Sequence, residues 1–357
     1  MGSILSTAAD RGREKITNVS LGMIVLDELR FPGKEPLYDV PGGSGLYSTV
    51  GSRIVLSGAR SKEVGCIVMA GRDFPDAVLD LFRRWGLNLL VNKDLKRLST
   101  RGLLQYEGVD FDKKTSKYVN PPIQPTPNDL KGSALLGSLN FHFLASPRDM
   151  EKFVPQLLEL RAAEGISTRP LLVWEPAPLS CVAGSRDAHL KAAKLVDVYS
   201  PNHQELIATF QSEEERNEDP TRELELAVIE RYAYEILESG VGPDGQGVVI
   251  IRCGAHGSLA VSRTYPARRF PPFHSGASPK VVDATGAGNC FLGGFTATYG
   301  ESRDLTEAMI SGSVAASYAV EQIGPPKVAI VDGVERWNDE EYLSRVHVYQ
   351  QRIADMD

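Results

Sequence analysis

The chain has 357 residues, 42% of them hydrophobic and 24% charged, with 39 Lys and Arg against 46 Asp and Glu and a formal net charge of −7. This composition supports a sizeable core and excludes global disorder, and its mild acidity argues against nucleic acid as the main partner, because phosphate backbones require clustered cations. The four cysteines form no C-x-x-C pair and no metal-type spacing with the six histidines, which points to a reduced, cytoplasmic protein; no apolar run approaches the roughly 20 residues of a bilayer span.

Residues 1–15 read as a flexible polar tail. Its start, Met1-Gly2-Ser3-Ile4-Leu5-Ser6, fits the loose M-G-x-x-x-[ST] pattern for N-myristoylation at Gly2. A disordered start is the competing reading, and a single acyl chain anchors only marginally. The run Ile16–Asp27 predicts one buried strand opening an α/β unit. Leu29–Val40 is half-polar and punctuated by Pro and Gly, as expected of an edge strand or flap leaving the body. The glycine-rich Pro41-Gly42-Gly43-Ser44-Gly45 leads into a packed helix over Leu46–Leu56. Glu63–Gly71 predicts a strand. Phe74–Gly86 predicts a helix with Ala77, Val78, Leu81, Phe82 and Trp85 on one face and Gly86 as its stop.

Leu103–Tyr118 predicts a polar hairpin with DFDKKTSK at its tip, and the four prolines of Asn120–Asp129 permit neither helix nor central strand. Phe141–Leu144, Leu171–Trp174, Val196–Ser200, Val248–Arg252 and Lys280–Asp283 repeat the buried-strand signature. Leu224, Val228, Tyr232 and Ile236 recur every four residues, as on one helix face. Residues 211–222 read as a solvated insertion. Strands alternating with helices imply an α/β fold with a doubly wound, mostly parallel sheet and ligands at the carboxyl ends of its strands.

The segment Asp283-Ala284-Thr285-Gly286-Ala287-Gly288 carries the chemistry. Its glycines let the backbone approach a ligand, and a helix starting near Asn289 would aim free N–H groups and its positive dipole end at an anion. A tight turn without a ligand is the bland alternative. DATGAGNCFLGGF resembles the late signature D-[TA]-T-G-A-G-D of the PfkB/ribokinase-type carbohydrate and nucleoside kinases, departing from it at Asn289. GMIVLD resembles the family's first strand, PGGSGLYST its early G-G motif, and AGRDFPDAVLDLFRRWGL its G-x-D-x-x-G element. SPNHQEL resembles its N-x-x-E element and IIRCGAHGSL its T-x-G-x-x-G nucleotide segment, with Gly254 and Gly257 kept and Arg252 in place of the usual Thr.

The resemblance implies a three-layer ribokinase-like body over residues 16–330 with a small β lid at 29–40 and 103–118, and a helical extension at 331–357. It assigns an anion hole to Gly286, Ala287 and Gly288, with Asn289 in the usual base position. Asp27, Gly42, Gly43 and Tyr47 would face the substrate. Asn202, Arg252, Gly254 and Gly257 would bind nucleotide, and Glu205, together with Asn202, would organise Mg²⁺, directly or through water. Asp283 and Thr285 match positions that ligate a monovalent cation such as K⁺ in some members; capping of the turn is the alternative. ATP and Mg²⁺ are the implied cofactors, and a small sugar, polyol or nucleoside the substrate. An exposed lid edge would allow a homodimer.

Besides Arg252, three residues depart from the family pattern. Tyr47 replaces an Asn that touches the sugar, and Glu175 stands where a D-x-N stretch is usual. Asn289 replaces the base, and an amide takes no proton from a hydroxyl near neutral pH. His203 and Cys290 are the nearby candidates to substitute for it, with a surface role for the first and a packing role for the second as the competing readings. Two readings follow. One is an ATP- and Mg²⁺-dependent phosphotransferase, slowed or altered by Asn289. The other is a catalytically impaired pseudokinase that binds nucleotide or metabolite for regulation or scaffolding.

Overall fold

Ile16–Asp27, which alternates and then runs apolar, predicts one strand, and the structure divides it between two sheets. Asn18–Ser20 lies in the main sheet and Val25–Arg30 in a smaller one. The break falls at Gly22, where a Cβ would lie 2.5 Å from Ser44 Oγ and 2.6 Å from Gly45 N. The chain therefore turns out of the main sheet directly under the start of helix Ser44–Val55. The computed structural model describes residues 14–107, 114–212, 215 and 225–356. The tail through residue 13 with Gly2, the hairpin tip at 108–113, Leu224 and most of the 211–222 insertion lie outside the described residues.

The main sheet has nine strands in the order Tyr265–Phe270, Ser258–Ser262, Val248–Arg252, Val198–Tyr199, Leu171–Pro176, Asn140–Ala145, Asn18–Ser20, Val64–Gly71, Asn88–Asp94. Only Ser258–Ser262 runs antiparallel to its two neighbours. Strand residues alternate between two cores, as the period of 2 requires. Leu171 and Val173 join the cluster under helices Ser44–Val55, Ala287–Ser302 and Leu305–Ala319, while Leu172 and Trp174 join the one under Pro147–Ala163 and Leu226–Ser239. Helices on both faces make three layers.

The second sheet runs Leu37–Gly42, Val25–Arg30, Arg101–Tyr106, Lys114–Tyr118. It thus begins before the expected lid boundary at residue 29 and includes the Gly42 backbone. Lys280–Asp283, expected as a strand, is not one. The N–H groups of Val282 and Asp283 both donate to Val320 O, at 2.7 and 3.1 Å, so a helix end holds this backbone instead of a neighbouring strand. Helix Asp76–Arg84 is shorter than predicted and buries Leu79, while Ala77 is exposed. The extension expected from residue 331 is not purely helical. A hairpin, Val328–Val331 with Val334–Trp337, spans that boundary before helix Tyr342–Ala354. Trp337, Tyr349 and Ile353 belong to the main core, and Arg53 pairs with Glu335 at 2.5 Å in a buried contact. Among the described residues, no helix is long and apolar enough to cross a membrane.

Helices Ser44–Val55 and Ala287–Ser302 meet backbone to backbone. A Cβ on Gly51 would lie 1.9 Å from Cys290 O, and one on Gly293 would lie 1.9 Å from Ser48 O. Replacing Gly293 by Ala must force the two helices apart. Gly293→Ala is expected to lower stability by about 1–3 kcal/mol or more, read as a lower urea midpoint at unchanged m value. Gly137→Ala meets no atom within 4 Å and should stay within about 0.5 kcal/mol of wild type.

Candidate active site

The cradle forms where Asp283 folds the chain back on itself. Its Oδ1 accepts from Thr285 N at 3.0 Å and from Thr285 Oγ1 at 2.6 Å. Gly286 follows in the left-handed region, φ 77°, and begins helix Ala287–Ser302. Among the described residues, the main-chain N–H groups of Gly286, Gly288 and Asn289 have no hydrogen-bond partner, whereas Ala287 N donates to Ala284 O at 3.2 Å. The free donors are therefore those of 286, 288 and 289, and the expected contribution of Ala287 is taken up inside the turn. Such donors at a helix start are the ordinary means of holding an anion.

Side chains of this chain press on both glycines. A Cβ at Gly286 would lie 2.1 Å from Tyr47 Cδ2, and one at Gly288 would lie 2.4 Å from Arg252 Nη1. The loop itself stays partly open to solvent. Beside it lies a cavity of about 270 Å³ walled by Arg252, Gly254, Gly257, Phe273, Gly288 and Phe291, among others. Arg252, Gly254, Gly257 and Gly288 are thus brought together as the sequence implied. Gly257 also answers to packing, since at φ 81° its Cβ would meet Phe270 O at 2.0 Å.

On the other side of the cradle, Asp27 is buried between two glycines. A Cβ on Gly42 or on Gly102 would lie 2.2 Å from one of its carboxylate oxygens. Burial pushes the Asp27 carboxyl up to about 7, against the pull of Lys114. Gly43, φ 88°, turns the chain into helix Ser44–Val55 against Met23 O. Tyr47, 3% exposed, fills the space between this helix and Gly286.

The second sheet reaches across to the cradle. Tyr106 donates to Asp283 at 2.8 Å, and Lys114 Nζ lies 2.9 Å from Asp283 Oδ1 and also bonds Thr285 Oγ1. Asp283 and Thr285, the expected ligands of a monovalent cation, hold an ammonium group. Burial opposes ionisation of Asp283, but Thr285 and Lys114 outweigh it and keep the carboxyl below the usual range. The sequence reading saw Lys114 only as part of a polar hairpin tip.

A buried charge network lies under the helix start. Arg252 Nη1 is 2.7 Å from Glu175 Oε1, and its Nη2 is 3.0 Å from Ser200 O and 3.4 Å from Glu205 Oε2. Glu175 Oε2 accepts from Asn289 Nδ2 at 2.5 Å and lies 3.2 Å from His142 Nε2, whose Nδ1 faces Ser20 Oγ at 2.9 Å. Burial opposes ionisation of Glu175, but Arg252 and His142 prevail and hold its carboxyl below the usual range. Glu205 and Asn202 form a capping box at helix His203–Phe210: Asn202 Oδ1 accepts from Glu205 N at 2.8 Å, and Glu205 Oε2 accepts from Asn202 N at 2.7 Å. Burial raises the Glu205 carboxyl to about 7; Arg252 opposes this and Glu175 adds to it. His203 Nδ1 lies 3.4 Å from Arg252 O, and Cys290 is fully buried with its Sγ donating to Ala315 O at 3.2 Å.

Residues 133–328 match the model of the pfkB family of carbohydrate kinases. Protein MAK32 of Saccharomyces cerevisiae is 31% identical over 353 residues, covering 95% of this chain and 93% of its own length. Among solved structures, Anopheles gambiae adenosine kinase, in complex with P1,P4-di(adenosine-5) tetraphosphate, superposes with a TM-score of 0.65 at 18% identity, covering 87% of this chain and 97% of its own. A ribokinase II from Escherichia coli, in complex with ATP and Mg²⁺, gives 0.63 at 17% identity, covering 94% and 99%. At these identities the two structures speak for the fold.

The Asp27 carboxyl stands at about 7 in the folded chain against 3.8 as its ordinary value. Its contribution to stability is fully present below about pH 4 and is lost as pH rises through 7. Relative to Asp27→Asn, the wild type should lose up to about 4 kcal/mol between pH 4 and 8. Urea midpoints of both proteins across that range check this; parallel curves would place Asp27 in an ordinary, solvated setting.

Proposed function

Because the chain belongs to the pfkB family of carbohydrate kinases, we propose that it binds ATP in the cavity beside the cradle and transfers the terminal phosphoryl group, slowly, to a hydroxyl of a small sugar, polyol or nucleoside. The observation that carries this reading is the set of unpartnered N–H groups of Gly286, Gly288 and Asn289 at the edge of a cavity large enough for part of a nucleotide. Donors fixed before the ligand arrives cost no reorganisation as charge develops. ATP fits these residues: the base and ribose would lie along Gly254, Gly257 and Phe273, and the phosphates would point at the helix start. Bound there, ATP supplies the electrophilic phosphorus.

The chain's own residues position the acceptor. Asp27 lies on the second-sheet side of the cradle, where its carboxylate can accept from substrate hydroxyls, and Lys114 stands between it and Thr285. Asn289 donates its Nδ2 to Glu175, which leaves Oδ1 as the atom that can accept from a substrate hydroxyl. It orients that hydroxyl without removing its proton. A loose phosphoryl transition state tolerates this, since catalysis rests mainly on positioning and charge, but the missing base costs about 10²–10⁴-fold. Dimerisation through the second sheet belongs to the same proposal, supported by Leu37 and Tyr38 exposed along one edge strand.

A second reading, nucleotide binding without turnover, is favoured by Tyr47. Its buried ring stands against the cradle on the acceptor side.

Calorimetry with ATP, followed by γ-phosphate transfer across sugars, polyols and nucleosides, tests both. Asn289→Asp alone would set two carboxylates at hydrogen-bond distance, where they share one proton and make a poor base. Asn289→Asp combined with Glu175→Gln exchanges the pair and should raise transfer by about 10²-fold or more over wild type. A fast wild type that gains nothing would remove Asn289 from the base position. ATP binding without transfer in either protein would favour the second reading.

A further inference from the structure

The two residues that the family pattern would give to Mg²⁺ are already engaged. Asn202 and Glu205 hold each other in the capping box, and Glu205 also faces Arg252 at 3.4 Å. Glu175, the other carboxylate under the helix start, faces the same guanidinium at 2.7 Å. All three side chains are buried: Arg252 is 8% exposed, Glu175 4% and Glu205 6%. Magnesium is usually held by one or two carboxylates together with substrate phosphates. Here Arg252 offsets the charge of Glu175 and also faces Glu205, so a divalent ion between the two carboxylates would meet a guanidinium already seated there. The residues do not fit a divalent cation.

They do fit a fixed internal one. Arg252 lines the cavity, and its Nη1 lies where only the missing Cβ of Gly288 leaves room for it, next to a free N–H of the cradle. Its Nε is buried with no hydrogen-bond partner. A buried, unpartnered donor on a charged group is costly unless something meets it. We propose that Arg252 is the built-in countercharge of this site, standing in place of a divalent ion, so that the protein binds the polyphosphate of a nucleotide without Mg²⁺. This rests on the nucleotide reading of the cavity.

The test is calorimetry of ATP binding to the full chain in excess EDTA and in millimolar Mg²⁺. Wild type should bind ATP in EDTA with an affinity within about threefold of that in Mg²⁺, well under the tenfold that 1.4 kcal/mol represents. Arg252→Thr should lose metal-free binding by roughly tenfold to a hundredfold, the size of a lost charge-assisted contact, and should recover part of it in Mg²⁺. Arg252→Lys keeps a positive charge at the network and should retain most of the metal-free binding. Thermal unfolding of each variant shows whether it is folded, and the wild-type comparison needs no variant at all. Wild type that binds ATP only with Mg²⁺ overturns the proposal and leaves the nucleotide reading standing, as does Arg252→Thr binding ATP in EDTA as tightly as wild type. Wild type that binds ATP in neither buffer removes both.

Discussion

The position of the cradle depends on one close approach. Gly51 and Gly293 bring helices Ser44–Val55 and Ala287–Ser302 into backbone contact, with no side chain between them. Packed interiors transmit such constraints because they leave little free volume. The contact sets where the second helix begins, and hence where its unpartnered N–H groups point. It also carries Tyr47, from the first helix, onto Gly286. The same helix pair therefore presents the anion donors and narrows the space for an acceptor beside them.

Around that fixed point the charges come in pairs. Lys114 meets Asp283 on the side of the second sheet, and Arg252 meets Glu175 on the side of the main one. Burying an ion alone is expensive, and pairing reduces that cost. Asp27, whose carboxyl burial lifts to about 7, is one exception, and Glu205 is the other. It shares a guanidinium that Glu175 approaches more closely, and burial lifts its carboxyl to about 7.

What could be read from the sequence was local. The glycines of 286–288, the N-x-x-E spacing of Asn202 and Glu205, and the alternation of strands and helices each show within a few residues, because turn chemistry and periodicity are short-range properties. The break at Gly22 was hidden, since Ile16–Asp27 alternates and then runs apolar with no breaker beyond one glycine, and only the approach of Ser44 and Gly45 reveals it. Lys280–Asp283 failed for a related reason: a strand needs a neighbour, and this stretch found the end of a helix. The strands Asn88–Asp94, Ser258–Ser262 and Tyr265–Phe270 went unread, as mixed-polarity segments toward the two edges of the sheet. Lys114 and Glu175 reach partners 169 and 114 residues away. No spacing rule connects such distant positions.

Asn289, Glu175 and Arg252 look like separate departures in the sequence, but in the fold they touch. An aspartate at 289 would add a carboxylate beside Glu175, over a guanidinium that already serves two. Ionised, it would stand next to the free N–H groups and oppose any phosphate brought to them; sharing a proton with Glu175, it would make a poor base. An amide at 289 keeps the contact to Glu175 without that charge. On the proposed reading, the amide at 289 and the arginine at 252 therefore belong to one network, joined through Glu175.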